Sequence, residues 1–300
     1  MTIEQPVARA LPVAPRHFAH GRQVFRDLFR QVSVILATCY LGLLTVVSLV
    51  VWIGSPMDPN AQDLTHRLNG PSAHHLLGLD ALGRDVLARL VHATPVTFLA
   101  ILEGVAVAAV LGVVPGLIAG FRGGALDAVM TKIADAFIVF PGLVLALAII
   151  GALGPGLTNA MIAVGVLLAP GIYRVVRATT ISVRQETYVQ AARTMGTSNA
   201  GILARHVLPN VMSPLLVQLS LTASLVLLIE ASLSYLGLGV QPPAATFGSM
   251  IKDAQQSMVS QPLLALFPGI AILLTALSFN LVADGLTRAL KRRGLGADNS

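Results

Sequence analysis

VSVILATCYLGLLTVVSLVVWIG occupies residues 32–54 and carries no charged side chain. As a helix it covers roughly 34 Å, enough for a bilayer hydrocarbon core of about 30 Å. Surrounded by lipid, such a stretch must satisfy its backbone within itself, which a helix does. The same reading finds further apolar runs at 96–121, 133–153, 157–173, 214–236 and 263–282. The expected fold class is therefore an all-α membrane protein with six transmembrane helices. Composition agrees: the 300-residue chain is 55% hydrophobic and 11% charged, with mean hydropathy +0.76. Soluble domains carry about 25% charged residues.

Lysine and arginine orient a polytopic chain. Sixteen of the 20 basic residues fall on one side: before the first span, after the second, between the fourth and fifth, and behind the sixth. Both termini are expected in the cytoplasm, and the net charge of +6 is an inside bias rather than a nucleic-acid signal. The expected divisions are a tail at 1–31, a first span at 32–54, an extracytoplasmic segment at 55–95, a core at 96–290 with a cytoplasmic loop at 184–210, and a tail at 291–300. The apolar run after residue 31 is too long for a secretory signal, and no small-residue cleavage site follows it. The single cysteine, Cys39, excludes an intrachain disulfide.

Two polar stretches interrupt this pattern. LGLDALGRDVLARL (77–90) reads as a short amphipathic helix N-capped by Asp80. Leu82, Val86, Leu87 and Leu90 would share a face, with Asp80–Arg84 and Asp85–Arg89 as i,i+4 pairs. QAARTMGTSNAGILARHVLPN (190–210) is basic and lies between two apolar runs. Thr187 and Gln190 have capping-box spacing, and Tyr188, Ala191, Ala192 and Met195 recur at helical spacing. Gly196 supplies the positive φ that ends a helix. Ser198 or Asn199 can cap a second helix through Ile202 and Leu203 that stops at Pro209. A plain connection could be far shorter. The residues leave two readings open, a knob for a partner protein and an interfacial helix on anionic lipid through Arg193 and Arg205.

Enzyme chemistry finds little support. The chain contains no G-x-x-x-x-G-K-[ST], G-x-S-x-G or H-E-x-x-H pattern, so ATP hydrolysis, serine-hydrolase and zincin chemistry have no sequence basis. GFRGG (120–124) reads as a tight turn, and adjacent His74 and His75 lack metal-ligand spacing. Glu103, Asp135 and Glu230 lie within apolar runs, where acids are costly and face a bundle interior or a wet cavity. Glu103 and Glu230 are candidate pathway or gate residues, and Asp135, close to the expected inner surface, reads better as a helix-to-helix contact or an acid at the interface. Phe140-Pro141 places a kink inside the third span and joins the gate candidates. A proton-driven secondary transporter would use these acids, but no inverted repeat accompanies them.

The 190–210 stretch also resembles the EAA motif of bacterial ABC importer membrane subunits, E-A-A, three residues, G, nine residues, I-x-L-P. Ala191, Ala192, Gly196, Leu208 and Pro209 match, while Gln190 replaces glutamate and His206 replaces isoleucine. LGLDALGRDVLARL, EASLSYLGLGVQPPAATFGSM (230–250) and LFPGIAILLTALSFNLVADGL (266–286) resemble the second permease subunit of dipeptide and oligopeptide transporters, a family that includes nickel, glutathione and haem importers. The resemblance implies a type I ABC importer transmembrane domain, a MetI-like core plus one N-terminal helix, in the bacterial inner membrane. It implies a homologous second permease, two ATPase subunits and an extracytoplasmic binding protein as partners, beside membrane lipid. ATP and magnesium belong to the ATPases, and no cofactor or metal is expected on this chain. The loop becomes the coupling contact, with Gln190, Ala191, Ala192, Met195, Gly196, Thr197, Ser198, Ile202, Leu203, Leu208 and Pro209 as its expected ATPase-coupling residues.

Overall fold

A computed structural model describes residues 31–55 and 57–297, with side chains as far as Ala289. The expected N-terminal tail, apart from Gln31, lies outside these residues. The chain forms α1 (Val32–Gly54), α2 (Val86–Arg122), α3 (Gly124–Val139), α4 (Gly142–Leu153), α5 (Leu157–Arg184), α6 (Thr187–Thr194), α7 (Asn199–Ile202), a π-helical turn (Leu203–Val207), α8 (Leu208–Tyr235), α9 (Phe247–Ala254), a 3-10 turn (Gln255–Ser257) and α10 (Leu263–Ala297). The C-terminal stretch expected as a tail from 291 is thus helical as far as Ala297. Among the described residues five unbroken helices are long and apolar enough to cross a membrane, and the bent pair α3–α4 makes a sixth if counted as one span.

Two elements differ from expectation. No separate amphipathic helix forms over 77–90. Gly83 has φ +73°, which halts a helix, and a Cβ there would lie 2.2 Å from the Asp63 carbonyl oxygen. Asp80 closes the turn instead, accepting from the Leu82 and Arg84 amides at 2.8 and 2.9 Å and from Arg84 Nε at 2.7 Å. The true N-cap is Asp85, which accepts from the Ala88 amide at 2.9 Å and starts the second span ten residues earlier than its apolar run. Asp85 also meets His75 Nδ1 at 2.7 Å, so the expected Asp85–Arg89 pair is not made. The third span is not continuous either. α3 and α4 meet at 96°. Pro141 disfavours helical geometry at the residue before it, and Phe140 is extended with ψ 136°.

The bundle is organised around α2 and α5, its most extensive helix pair. In lipid, helices associate mainly by close packing, which favours small residues at the seam. Gly104, Ala108, Gly112, Gly116 and Gly120 recur every fourth residue on α2 and are buried. A Cβ on Gly112, Gly116 or Gly120 would lie 2.7, 3.0 and 2.8 Å from the carbonyl oxygens of Ala169, Tyr173 and Arg177 in turn. Gly165 returns the approach, its absent Cβ leaving room for Val107. α8 packs on α5 and α10, and Ser224 Oγ donates to the Ala276 carbonyl at 3.3 Å. α3 is stapled to α5 by Asp127 against Arg177, Asp135 against Arg174 Nη2 at 2.7 Å, and Thr131 against Tyr173 at 3.0 Å. Asp135 is therefore a helix-to-helix contact, as its position in sequence suggested.

Gly112→Ala is expected to destabilise the bundle by about 1–3 kcal/mol through overpacking. Gly151→Ala, with nothing within 4 Å of its added Cβ, should stay within about 0.5 kcal/mol. Thermal unfolding in detergent compares the two.

Candidate functional site

The connection between α5 and α8 is a helical hairpin whose turn follows from its sequence. α6 ends in a Schellman motif: the Gly196 amide donates to the Arg193 carbonyl and the Thr197 amide to the Ala192 carbonyl, both at 3.1 Å. This geometry needs a left-handed residue, and Gly196 has φ +82°. Ser198 then caps α7, accepting from the Gly201 amide at 3.2 Å. The expected capping box at the start is absent. The N-cap is Glu186, without a side-chain bond, and Gln190 Nε2 instead donates to the Arg184 carbonyl at 3.0 Å. The helix does not stop at Pro209. The backbone widens through the π turn at Leu203–Val207 and continues, and Pro209 falls in the first turn of α8, where a missing N–H costs least. The hairpin is thus continuous with a spanning helix on its exit side.

Its inner face is part of the bundle core. Val189, Ala192, Ile202 and Val207 are buried with Leu117 and Phe121 of α2, Ile172, Val176 and Val183 of α5, and Val211 and Leu215 of α8. Polar contacts fix the same corner. Arg184 Nη1 donates to the Phe121 carbonyl at 2.8 Å, and the Arg193 guanidinium stands 5.8 Å from the Phe121 ring centroid. Asn210 Nδ2 donates to Tyr188 Oη at 3.2 Å and to the His206 carbonyl at 2.6 Å. Burial, and then the charge of Glu186, push the Tyr188 phenol above its usual range.

The expected coupling residues therefore divide into two sets. Gln190, Ala191, Met195, Gly196, Ser198 and Pro209 are exposed, with Met195 at 78%, and Thr197 is half-buried. Ala192 and Ile202 are buried, and Leu203 and Leu208 pack partly against the same core. The expected single face of Tyr188, Ala191, Ala192 and Met195 is split accordingly, because Ala192 turns inward beside Val189. Sequence reading missed Val189, Val207, Arg184 and Arg193 as anchors. The i,i+3 pair Val189/Ala192 was the available signal.

The gate candidates lie on separate elements. Glu230 on α8 is fully buried, accepts from Ser234 Oγ at 2.6 Å through Oε1, and leaves Oε2 without a partner. Glu103 on α2 is half-buried, and its Oε2 also has no partner. Among the described residues neither acid pairs with a basic side chain. Phe140 and Pro141 form the exposed bend between α3 and α4. No group of three metal-ligating side chains occurs among the described residues.

Residues 112–294 match the family model described as binding-protein-dependent transport system inner membrane component. The chain is 38% identical over 270 residues to the glutathione transport system permease protein GsiD of Pectobacterium atrosepticum, covering 90% of each chain. It is 41% identical over 259 residues to the probable D,D-dipeptide transport system permease protein DdpC of Escherichia coli, covering 85% of this chain and 87% of that one. A solved inward-facing structure of the MetNI methionine ABC transporter superposes with TM-score 0.53 at 19% identity, over 68% of this chain and 95% of that one. The chain belongs to the binding-protein-dependent inner membrane component family, as an ABC importer permease of the peptide and glutathione group with a MetI-like type I fold. This membership displaces the proton-driven transporter considered from the intramembrane acids.

Ile202→Ala is expected to cost about 2–5 kcal/mol, because it opens a cavity where the hairpin meets three helices. Met195→Ala should leave stability within about 0.5 kcal/mol. Thermal unfolding of the two variants separates anchor from outward face.

Proposed function

From this membership we propose that the chain is the membrane-spanning subunit of an ATP-driven importer for peptides, di- and oligopeptides including glutathione-like ones, coupled to ATPase subunits through the 184–210 hairpin. The observation that carries the coupling reading is the two-sided hairpin. Its inner face is packed against α2, α5 and α8, while Met195, Ala191 and Ser198 are exposed among the described residues. A load applied to the outward face reaches α8 through a continuous helix and α2 through Phe121, with no flexible link between. A partner can shift a conformational equilibrium only through contacts that differ between its states, and the outward face offers this chain's half of them.

Support for the substrate class comes from the relatives, whose names specify glutathione and D,D-dipeptide. In this reading two ATPase subunits seat the hairpin from the cytoplasm, a homologous permease completes the pathway, and an extracytoplasmic binding protein delivers cargo. ATP and magnesium sit on the ATPases. The chain is a multi-pass protein of the bacterial inner membrane with both termini cytoplasmic. The basic side chains Arg174, Arg177, Arg184, Arg193 and Arg205 on the hairpin side support that orientation. The extracytoplasmic segment begins at 55 and yields to α2 at Val86. Glu103 and Glu230 are its pathway or gate candidates, with Phe140 and Pro141 at the bend of the broken span.

Gly196→Pro removes the amide that bonds the Arg193 carbonyl and forbids the positive φ. It is expected to abolish peptide uptake while the subunits still co-purify and the ATPases still hydrolyse ATP. Uptake of a labelled tripeptide into proteoliposomes, with ATP turnover measured in the same sample, reads this. Normal uptake would refute the coupling assignment.

A further inference from the structure

At the end of the bundle opposite the hairpin, the turn before α2 meets α9, and five charged side chains gather. Arg84 Nε donates to Asp80 Oδ2 at 2.7 Å, and Arg84 Nη2 donates to Asp253 Oδ2 at 3.1 Å. Arg89 Nη2 donates to the same Asp253 oxygen at 3.1 Å, and Arg89 Nε stands 3.8 Å from Asp80 Oδ2. Lys252, next to Asp253 in sequence, forms no ion pair among the described residues. Three cations thus face two carboxylates, leaving one positive charge in excess. Arg89 is only 4% exposed, and its Nη1 has no hydrogen-bond partner. Buried charged donors are normally paired, so Nη1 is a donor that a bound acceptor satisfies once the Arg89 side chain turns toward the cavity.

Three cavities adjoin Arg89, of which one, beside Val86 and Met250, holds only about 20 Å³ and the other two are larger. One of the larger two, about 200 Å³, is the more polar: Arg84, Arg89, Ser249, Lys252 and Asp253 share its wall with Leu82, Val240 and Pro242. The other, of about 330 Å³, is mainly apolar, walled by Val51, Pro95, Val96 and Ala245, with His92 and Asn60 also lining it. Arg89, Pro243 and Ala244 line both. We propose that this junction binds an amphipathic monoanion. A carboxylate or phosphodiester oxygen accepts from Arg89 Nη1 and Lys252 in the polar cavity, and the attached apolar group fills the other. One excess positive charge matches one negative charge on the ligand. The apolar cavity beside the guanidinium distinguishes the site from one for a bare inorganic ion. Two sources share this chemistry, a small carboxylic acid with an apolar side chain and a phospholipid.

The test uses the full-length chain, purified with its co-expressed membrane partners in uncharged detergent, and measures binding without ATP turnover or transport. Its outcome is therefore independent of the coupling assignment. N-acetyl-leucine is titrated against N-acetyl-leucinamide, and dioctanoyl phosphatidylglycerol against dioctanoylglycerol. Two variants accompany the wild type: Ala244→Phe, which fills the wall shared by both cavities, and Lys252→Gln, which removes the excess charge. Both positions are exposed, so folding is expected to survive, and the thermal midpoint checks this. The expected result is saturable binding of at least one anion, weakened about tenfold or more for its uncharged analogue and in each variant. Binding confined to N-acetyl-leucine identifies a free carboxylate as the ligand, and binding confined to phosphatidylglycerol identifies lipid. No saturable binding of either anion, equal binding of the uncharged analogues, or unchanged affinity in both variants would overturn the proposal.

Discussion

Backbone-to-backbone approach between α2 and α5 is the constraint on which the rest of the molecule depends. Lipid tails are as apolar as leucine, so burial alone gives two spanning helices little reason to associate. Close contact does, and it requires small residues. Every fourth residue from Gly104 to Gly120 is glycine or alanine, and at Gly112, Gly116 and Gly120 the carbonyls of α5 occupy the space a side chain would take. The seam runs from mid-helix to the last turn of α2. That turn holds Phe121, and the hairpin is built on it through Arg184 and Arg193. A looser seam would leave the hairpin without a fixed base.

Much of this was legible in the sequence, for identifiable reasons. Uncharged runs report spans directly, and α1 has the bounds its run gives, Val32–Gly54. Gly196 was legible because a helix end and a positive φ converge on glycine. Ser198 was legible as a cap because a short polar side chain before a helix has one main use. The small-residue stripe is present at a period of four, but glycine contributes almost nothing to hydropathy, so the apolar runs do not show it.

The misreadings share a physical cause: several local rules competed and tertiary structure chose among them. Asp80 was read as the N-cap, but Gly83 halts a helix behind it and Asp85 caps α2 instead. Gln190 had capping-box spacing, yet its amide found the Arg184 carbonyl. Pro209 should end a helix, but the π turn before it absorbed the missing N–H. Phe140-Pro141 promised a kink and produced a 96° break, because the residue before proline left helical space altogether. Beyond the Val189/Ala192 pair, which hairpin residues face inward was not legible from local spacing, since Ile202 is claimed by core side chains from three other helices.

The central claim is that the outward face of the hairpin is a contact that an ATPase moves. The most direct measurement places Met195→Cys in a Cys39→Ser chain and assembles it with an ATPase subunit carrying single cysteines over its candidate docking surface. Disulfide yield is then followed with and without ATP. The account predicts a cross-link whose yield changes when ATP binds. An intact, ATP-hydrolysing complex in which no ATPase position cross-links to this site would contradict it.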